Sequence, residues 1–302
     1  MDSNLPFVSV IVPVLNGERT IGDCVVSLLK MDYPPERLEV LVVDNGSTDG
    51  TAEIVKSFPV RYLQEERPGA AAARNKGIEA SKGEVLAFTD ADCLGTSSWL
   101  RELVQGFMDE KVGGIEGEIM AYLPTTPVEQ HMARWGFFSR QRRLTSPLFP
   151  FVITANVAFR REVFDQIGLF DTRFPAAGGE DVDFSWRFLE ETDLELRYNP
   201  KAVVFHRHRS TVRSYFSQHM GYGRGRAILR TKHPERAPWG WRKELQAWGI
   251  VVGTAWIITR AAIRYWLGSG KKMDVYDAYF TFLRRLAMRI GFLWGRLAGG
   301  LR

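Results

Sequence analysis

The stretch Gly83-Glu84-Val85-Leu86-Ala87-Phe88-Thr89-Asp90-Ala91-Asp92 decides how this chain is read. An apolar strand runs straight into two carboxylates placed two residues apart. Side chains alternate faces along a strand, so Asp90 and Asp92 are expected to point the same way at its carboxyl end. Open α/β sheets hold their ligands at that end. Paired hard oxygens with an open approach suit Mg2+ or Mn2+ carrying a diphosphate. Taken alone, the same residues also fit an Asp-rich turn that bonds its own backbone.

The flanking segments supply the sheet. Residues 8–12 form an apolar, mostly β-branched run, as a strand buried on both faces should. Helical patterns cover 19–30, 51–58 and 70–80, alternating with strands at 40–43, 60–63 and 85–88. This βαβαβαβ order predicts a largely parallel sheet with right-handed crossovers. Beyond it the pattern reads as a helix over 97–108, a strand over 114–122, one helix over 128–143 and a strand over 151–159. A loop turning into a helix follows at 179–189, then short strands at 194–198 and 203–206, and only helices from 211. The expected fold is α/β, with a mostly parallel sheet and helices on both faces over 1–210 and a helical extension over 211–302. At about 100–200 residues per domain, 302 residues accommodate both.

The formal net charge is +5, and basic residues thicken after Arg207, which points to an anionic partner for the C-terminal third. A carboxylate-rich site and the lack of a recognition motif argue against nucleic acid. Cys24 and Cys93 have no metal-like spacing and read as reduced thiols of a cytoplasmic protein. No basic segment precedes the first apolar run and Pro13 interrupts it, so it reads as a strand and turn, not a secretory signal. Residues 248–259 carry no charge, but a bilayer span needs about 20 such residues. Arg260 and Arg264 then share a helical face. The reading is an interfacial or docked helix. In the last helix Leu286, Ile290, Leu293 and Leu297 share a face flanked by Arg285, Arg289 and Arg296. That pattern fits a helix lying on anionic lipid, or one packed on its own domain.

Five motifs then stand in order: Val8-Ser9-Val10-Ile11-Val12-Pro13-Val14-Leu15-Asn16-Gly17, Val42-Val43-Asp44-Asn45-Gly46-Ser47-Thr48-Asp49-Gly50-Thr51, Arg74-Asn75-Lys76-Gly77, Asp90-Ala91-Asp92 and Gly179-Glu180-Asp181-Val182-Asp183. With them the chain resembles, over residues 7–210, the family 2 inverting glycosyltransferases of the GT-A fold, of the bacterial polysaccharide and glycolipid type. The resemblance implies a metal-dependent enzyme that moves one sugar from a nucleoside-diphosphate sugar, a UDP-sugar first, to a saccharide or lipid-linked acceptor. It implies Mn2+ or Mg2+ as cofactor.

Position by position, the resemblance assigns Asp44 to the nucleobase N–H, Pro13 and Leu15 to the walls of the base pocket, and Arg74 to base or phosphates. Asp92 becomes the direct metal ligand, with Asp90 on the ribose or reaching the metal through water. Asp181 becomes the base that deprotonates the acceptor, with Glu180 next; the plain alternative is a pair of acidic residues complementing a helix dipole. Asp183 reads as structural. Asn156 is an acceptor contact, and His206, with His208 beside it, lies near metal or diphosphate. By their own chemistry Arg224 and Arg226, within Gly221-Tyr222-Gly223-Arg224-Gly225-Arg226, fit a phosphate clamp or a basic exposed helix start. The processive signature Gln-x-x-Arg-Trp is not met, because Gln130-His131-Met132-Ala133-Arg134-Trp135 has one residue too many and precedes the base. Two rival readings remain beside this one. A sugar-phosphate nucleotidyltransferase needs a Gly-rich basic loop where this chain has Asn16-Gly17-Glu18-Arg19, and a catalytically silent membrane-assembly module has no need of the acidic motifs. The expected location is cytoplasmic, peripheral at the inner face of the plasma membrane.

Overall fold

A computed structural model describes residues 5–146, 148–174, 178–238 and 240–299. In chain order the elements are β1 (Val8–Val14), α1 (Ile21–Leu29), β2 (Leu38–Asp44), α2 (Thr51–Lys56), β3 (Arg61–Gln64), α3 (Ala70–Ala80), β4 (Val85–Thr89), β5 (Cys93–Gly95) and α4 (Trp99–Gln105). There follow β6 (Val112–Ala121), α5 (Pro127–Arg134), α6 (Arg140–Arg143), β7 (Asn156–Arg160), α7 (Arg161–Ile167), α8 (Glu180–Glu191) and β8 (Glu195–His206). The chain ends in α9 (Val212–Lys232), α10 (Trp241–Trp266) and α11 (Lys272–Gly299). Two compact units emerge. The first holds residues up to Tyr122, the stretch from Phe138, and Glu180 to Arg207; the second holds Leu123 to Phe137, Gly178 and Gly179, and His208 onward.

The first unit is built on one eight-stranded sheet of order β3-β2-β1-β4-β7-β6-β8-β5. Strands β3, β2, β1 and β4 run parallel, as the βαβ alternation predicts. The other half is mixed: β7 is antiparallel to both β4 and β6, β6 is parallel to β8, and β5 is antiparallel to β8. Burial of both faces explains why β1 is apolar at every position but Ser9. Val8, Val10, Val12 and Val14 pack with Ile21, Val25, Leu28 and Trp99 on one face. Ile11 turns to the other, with Phe88, Phe159, Phe164 and Phe184. There Phe88 meets the Phe170 ring edge-on at 5.6 Å, a geometry that adds about 0.5–1.5 kcal/mol to simple burial.

Three expected elements differ in the structure. The helix over 128–143 is two helices, because α5 ends at Gly136, whose φ of 55° lies in the left-handed region. Ser139 then starts α6 by accepting a bond from the Arg142 N–H. The strand over 151–159 begins only at Asn156. The two short strands at 194–206 are one strand, β8, carrying a bulge: Gly117 pairs with Asn199, but Glu118 pairs with Val203. Pro200 lies in the skipped stretch, where a residue with no N–H to donate is tolerated.

The second unit is helical. Helices α9 and α11 cross closely because Gly223 abuts the Met288 and Phe292 backbone and Gly291 abuts the Met220 backbone; a Cβ on either glycine would lie 2.3 Å or less from a carbonyl oxygen. Two of the three basic residues flanking the apolar face of α11 meet α10, while Arg296 is exposed. Arg289 is buried with Glu244 of α10 at 3.2 Å, and Arg285 donates to Thr254 of α10. Helix α10 runs 26 residues and is long and apolar enough to cross a membrane by length and composition. The charge-free stretch of the sequence had understated it.

His219 of α9 is fully buried, and its Nδ1–H donates to the Tyr215 carbonyl at 2.8 Å. Burial pushes its pKa down to about 3, against the pull of the Tyr215 carbonyl and with Arg284 adding to the depression. An unfolded His titrates near about 6.5. Between that value and about 3 the unfolded chain binds a proton that the native chain refuses. Stability should therefore fall as pH drops through this window, by up to about 1.4 kcal/mol per pH unit. Urea denaturation of the parent and of His219→Phe from pH 7 to pH 4 checks this; the variant should show the shallower pH slope.

Candidate active site

Strand β4 stops at Thr89, and the next residues form a turn in which the Cys93 N–H donates to the Asp90 carbonyl at 2.9 Å. Strand alternation therefore does not extend to the two carboxylates, and they diverge. Asp90 Oδ1 accepts from Arg74 Nη2 at 3.0 Å. Asp92 Oδ1 lies 3.4 Å from His206 Nε2, at the end of β8. Two backbone ties set this second pairing: β5 and β8 place Cys93 opposite His206, and the Arg207 N–H donates to the Asp92 carbonyl.

Arg74 joins the site's two halves. It is buried on α3, and besides Asp90 it gives Nη1 to Glu180 Oε1 at 2.9 Å, at the first residue of α8. Burial opposes its charge, but Asp90, Glu180 and Asp181 together raise its pKa. Its Nε makes no hydrogen bond among the described residues. Glu180 is buried like its partner. Asp181 is half-exposed, with Oδ1 accepting from the Val182 N–H. Asp183 is fully buried against Arg187, one helical turn on, which is the structural role expected for it.

Asp44 closes β2 almost wholly buried. Its Oδ1 accepts from the Ser47 N–H at 2.8 Å and its Oδ2 from the Tyr62 hydroxyl at 2.9 Å. The loops after β1 and β2 are tied together: the Asn16 N–H donates to Ser47 Oγ, and Asn16 Oδ1 accepts from the Thr48 N–H. Pro13 lies half-buried beside them, while Leu15 is 58% exposed. An exposed leucine at a strand's carboxyl end suits the wall of an open pocket.

Other expected contacts are not made. Asn156 is fully buried, accepting from Trp99 Nε1 and donating to the Glu118 and Ala202 carbonyls. Its amide is spent on holding β7 to its neighbours, so it is no acceptor contact. His208 lies past the end of β8, buried and in the helical unit, so it does not share a strand face with His206. Arg224 and Arg226 do not grip one phosphate together. At 3.6 residues per turn they diverge around α9, and the Arg224 guanidinium lies over the Trp294 ring at 4.7 Å. The false processive motif is packing: His131 and Arg134 both meet Asp277 within the helical unit.

Sequence reading missed Tyr62, which has no motif to mark it, and Phe138, whose ring centre lies 4.6 Å from that of His206. Cys93, which the sequence places in the site loop without a ligand's spacing, joins a cluster there. Ligand atoms of Asp92, Cys93 and His206 lie within 4.8 Å of one another. A carboxylate beside an imidazole suits Mn2+, so the residues present fit the expected divalent ion. Asp90, turned to Arg74, stands outside this trio. Burial first, then Asp92 and Asp90, raises the thiol pKa of both Cys93 and Cys24, and neither cysteine is bonded to the other.

Removing one partner of a buried ion pair leaves the other charge stranded, at a cost of about 3–5 kcal/mol. Arg74→Met should lose stability of that order in urea denaturation. Arg61→Met, which breaks a surface pair with Glu39, should lose no more than about 1 kcal/mol.

Comparison with known proteins follows this geometry. The model of glycosyl transferase family 2 matches residues 9–168. Glycosyltransferase AglE of Haloferax volcanii is 36% identical over 195 residues, covering 62% of this chain and 62% of that protein. The pre-mycofactocin glycosyltransferase of Mycobacterium tuberculosis is 30% identical over 239 residues, covering 76% of this chain and 48% of that one. The chain thus spans about half to three fifths of the length of these curated relatives. Among solved structures, the mannosyltransferase PcManGT of Pyrobaculum calidifontis, in complex with GDP-Man and Mn2+, has a TM-score of 0.63 at 21% identity, over 97% of this chain and 88% of that one. Glucosyl-3-phosphoglycerate synthase of Mycobacterium tuberculosis, in complex with Mn2+, UDP and phosphoglyceric acid, has a TM-score of 0.56 at 20% identity, over 78% and 80%. These likenesses establish a GT-A-like α/β fold.

Proposed function

Because the chain belongs to glycosyl transferase family 2, we propose that it is a metal-dependent inverting glycosyltransferase. It moves one sugar from a nucleoside-diphosphate sugar to a hydroxyl of a saccharide or lipid-linked acceptor. The observation that carries the reading is the Arg74 bridge, which draws the end of β4 and the start of α8 into one charge cluster beside Asp181. UDP is the first donor nucleotide to test.

The Asp44 carboxylate accepts the nucleobase N–H, held in place by Ser47 and Tyr62. Each carboxylate oxygen has two lone pairs, so both of these bonds leave acceptor capacity. Pro13 and Leu15 wall the base. Asp92 and His206 hold Mn2+ or Mg2+, with Asp90 positioned by Arg74. The bound ion supplies Lewis-acid stabilisation of the negative charge that grows on the departing diphosphate. Asp181 takes the proton from the acceptor hydroxyl. The acceptor oxygen then bonds to the anomeric carbon on the face opposite the nucleotide, and the C–O bond to the diphosphate breaks with its electron pair leaving on the nucleotide. The anomeric carbon carries oxocarbenium character on the way. Glu180 is committed to Arg74, which leaves its half-exposed neighbour for this role. The setting is polysaccharide or glycolipid assembly at the cytoplasmic face of the plasma membrane.

Asp92→Ala should weaken Mn2+-dependent binding of UDP by about tenfold or more, since even loss of a residue that only orients a metal ligand costs about 10–100-fold. Calorimetry with and without Mn2+ reads it, and unchanged affinity would sink the assignment. Asp181→Asn keeps its shape but accepts no proton, so transfer should fall by about 10²-fold or more while donor affinity survives. Near-normal turnover in that variant would place the base elsewhere.

A further inference from the structure

The helical unit carries a cluster of cations that the transfer chemistry does not use. Arg226 and Arg230 stand four residues apart on α9 and share a face. Buried Arg289 and half-buried Arg284, both on α11, add their charges to Arg226. The guanidinium carbons of Arg230 and Arg289 lie 4.7 and 5.1 Å from the centre of one ring, that of Phe292. Glu244 of α10 brings a carboxylate to the group, and its Oε2 accepts from Arg289 at 3.2 Å. Arg226 is half-buried and makes no hydrogen bond or ion pair among the described residues.

Like charges gathered away from water repel one another and lose hydration. The strain has a direction: burial, then Arg289 and Arg284, pushes Arg226 down to about 10, and burial with Arg226 and Arg289 pushes Arg230 down to about 10. A multiply charged anion relieves such a group, and guanidinium forks match phosphate oxygens.

The neighbouring helix indicates what the anion is attached to. Helix α10 meets the cluster through Glu244 and leaves Trp241, Leu245, Val252, Trp256, Ile263 and Trp266 exposed. Their spacing of three, four or seven residues draws one stripe along the helix. At 1.5 Å per residue the stripe runs about 40 Å. An exposed apolar surface of that length marks a contact with an apolar partner. Tryptophan at both ends suits the boundary between lipid headgroups and chains. A free inorganic ion has no use for the stripe, whereas a phosphate carrying an apolar tail uses both features.

We propose that Arg226, Arg230 and Arg289 hold the phosphate of a lipid whose chains lie against the exposed stripe of α10. This goes beyond the transfer chemistry and does not depend on it. The test is sedimentation of the full chain with phosphatidylcholine vesicles, with and without phosphatidic acid. The parent should bind the phosphatidic acid vesicles and leave them at 1 M salt, where charges reach only about 3 Å. The double variant Arg226→Gln, Arg230→Gln should bind at least tenfold more weakly, and Arg224→Gln, on another flank of α9, should bind as the parent does. Val252→Asp with Trp256→Asp alters only exposed positions, so the fold is not at stake, and it too should lose binding at least tenfold. Calorimetry with inorganic phosphate should show affinity at least tenfold below that for the lipid. The proposal fails if the Arg226, Arg230 variant sediments like the parent, if Arg224→Gln loses as much, or if the Val252, Trp256 variant loses nothing. Equal affinity for inorganic phosphate would also overturn it, leaving a simple anion site.

Discussion

One buried guanidinium fixes the geometry of the sheet unit's site. Arg74 sits inside the molecule with Asp90 on one side and Glu180 on the other, 16 and 106 residues away along the chain. Each charge alone would be costly to bury, and each is tolerable because the others are present. The arrangement is not a stability device, since a well-packed apolar trio is often as good or better. Arg74 Nε even goes without a hydrogen bond among the described residues, an omission that costs about 1–3 kcal/mol. What the bridge supplies is position: it ties the carboxyl end of β4 to the first turn of α8. Asp181 follows Glu180 at that tie, while Asp92 is placed by the β5–β8 pairing and by the Arg207 N–H.

The parts of the fold legible in the sequence were those whose signal is local. Strands β1, β2 and β4 announce themselves as apolar runs because both of their faces are buried, and the helices between them carry a clear 3.6-residue period. The mixed half of the sheet was harder. The β8 bulge around Pro200 looked like two strands because proline breaks the pattern without breaking the pairing. The break in the helix over 128–143 was in fact written in Gly136 and Ser139, a stop and a start three residues apart. Site residues followed the same rule. The motifs single out Asp44, Asp92 and Glu180 as candidates, but no local pattern marks Tyr62 as Asp44's donor or Arg74 as Glu180's partner. Asn156 misled because an asparagine near a site reads as a ligand contact until its amide is seen to be fully used.

At Asp90 and Asp92 the local argument from strand alternation does not hold. Alternation along a strand would have aimed both carboxylates at one point. The strand ends one residue too early for that, and the turn sends them apart, one to Arg74 and one to His206. The divergence is useful chemically. Two carboxylates converging with no ion between them repel, whereas here Asp90 faces Arg74 and Asp92 faces the His206 imidazole. Arg74 already balances Asp90, so an ion held by Asp92 and His206, as proposed, need not also compensate it.

The same logic separates Glu180 from Asp181. They are adjacent in sequence, yet the first turn of α8 gives them opposite surroundings. Glu180 is buried and has a cation in contact; a proton gained there would break the Arg74 pair and strand a buried guanidinium. Asp181 is half-exposed, and its charge adds to those that raise the Arg74 pKa. A general base must accept a proton and release it every cycle, so the carboxylate with less structural consequence is the better one to titrate. Environment assigns different work to two carboxyl groups that chemistry alone would not distinguish. The proposed roles of Glu180 and Asp181 rest on that difference in burial.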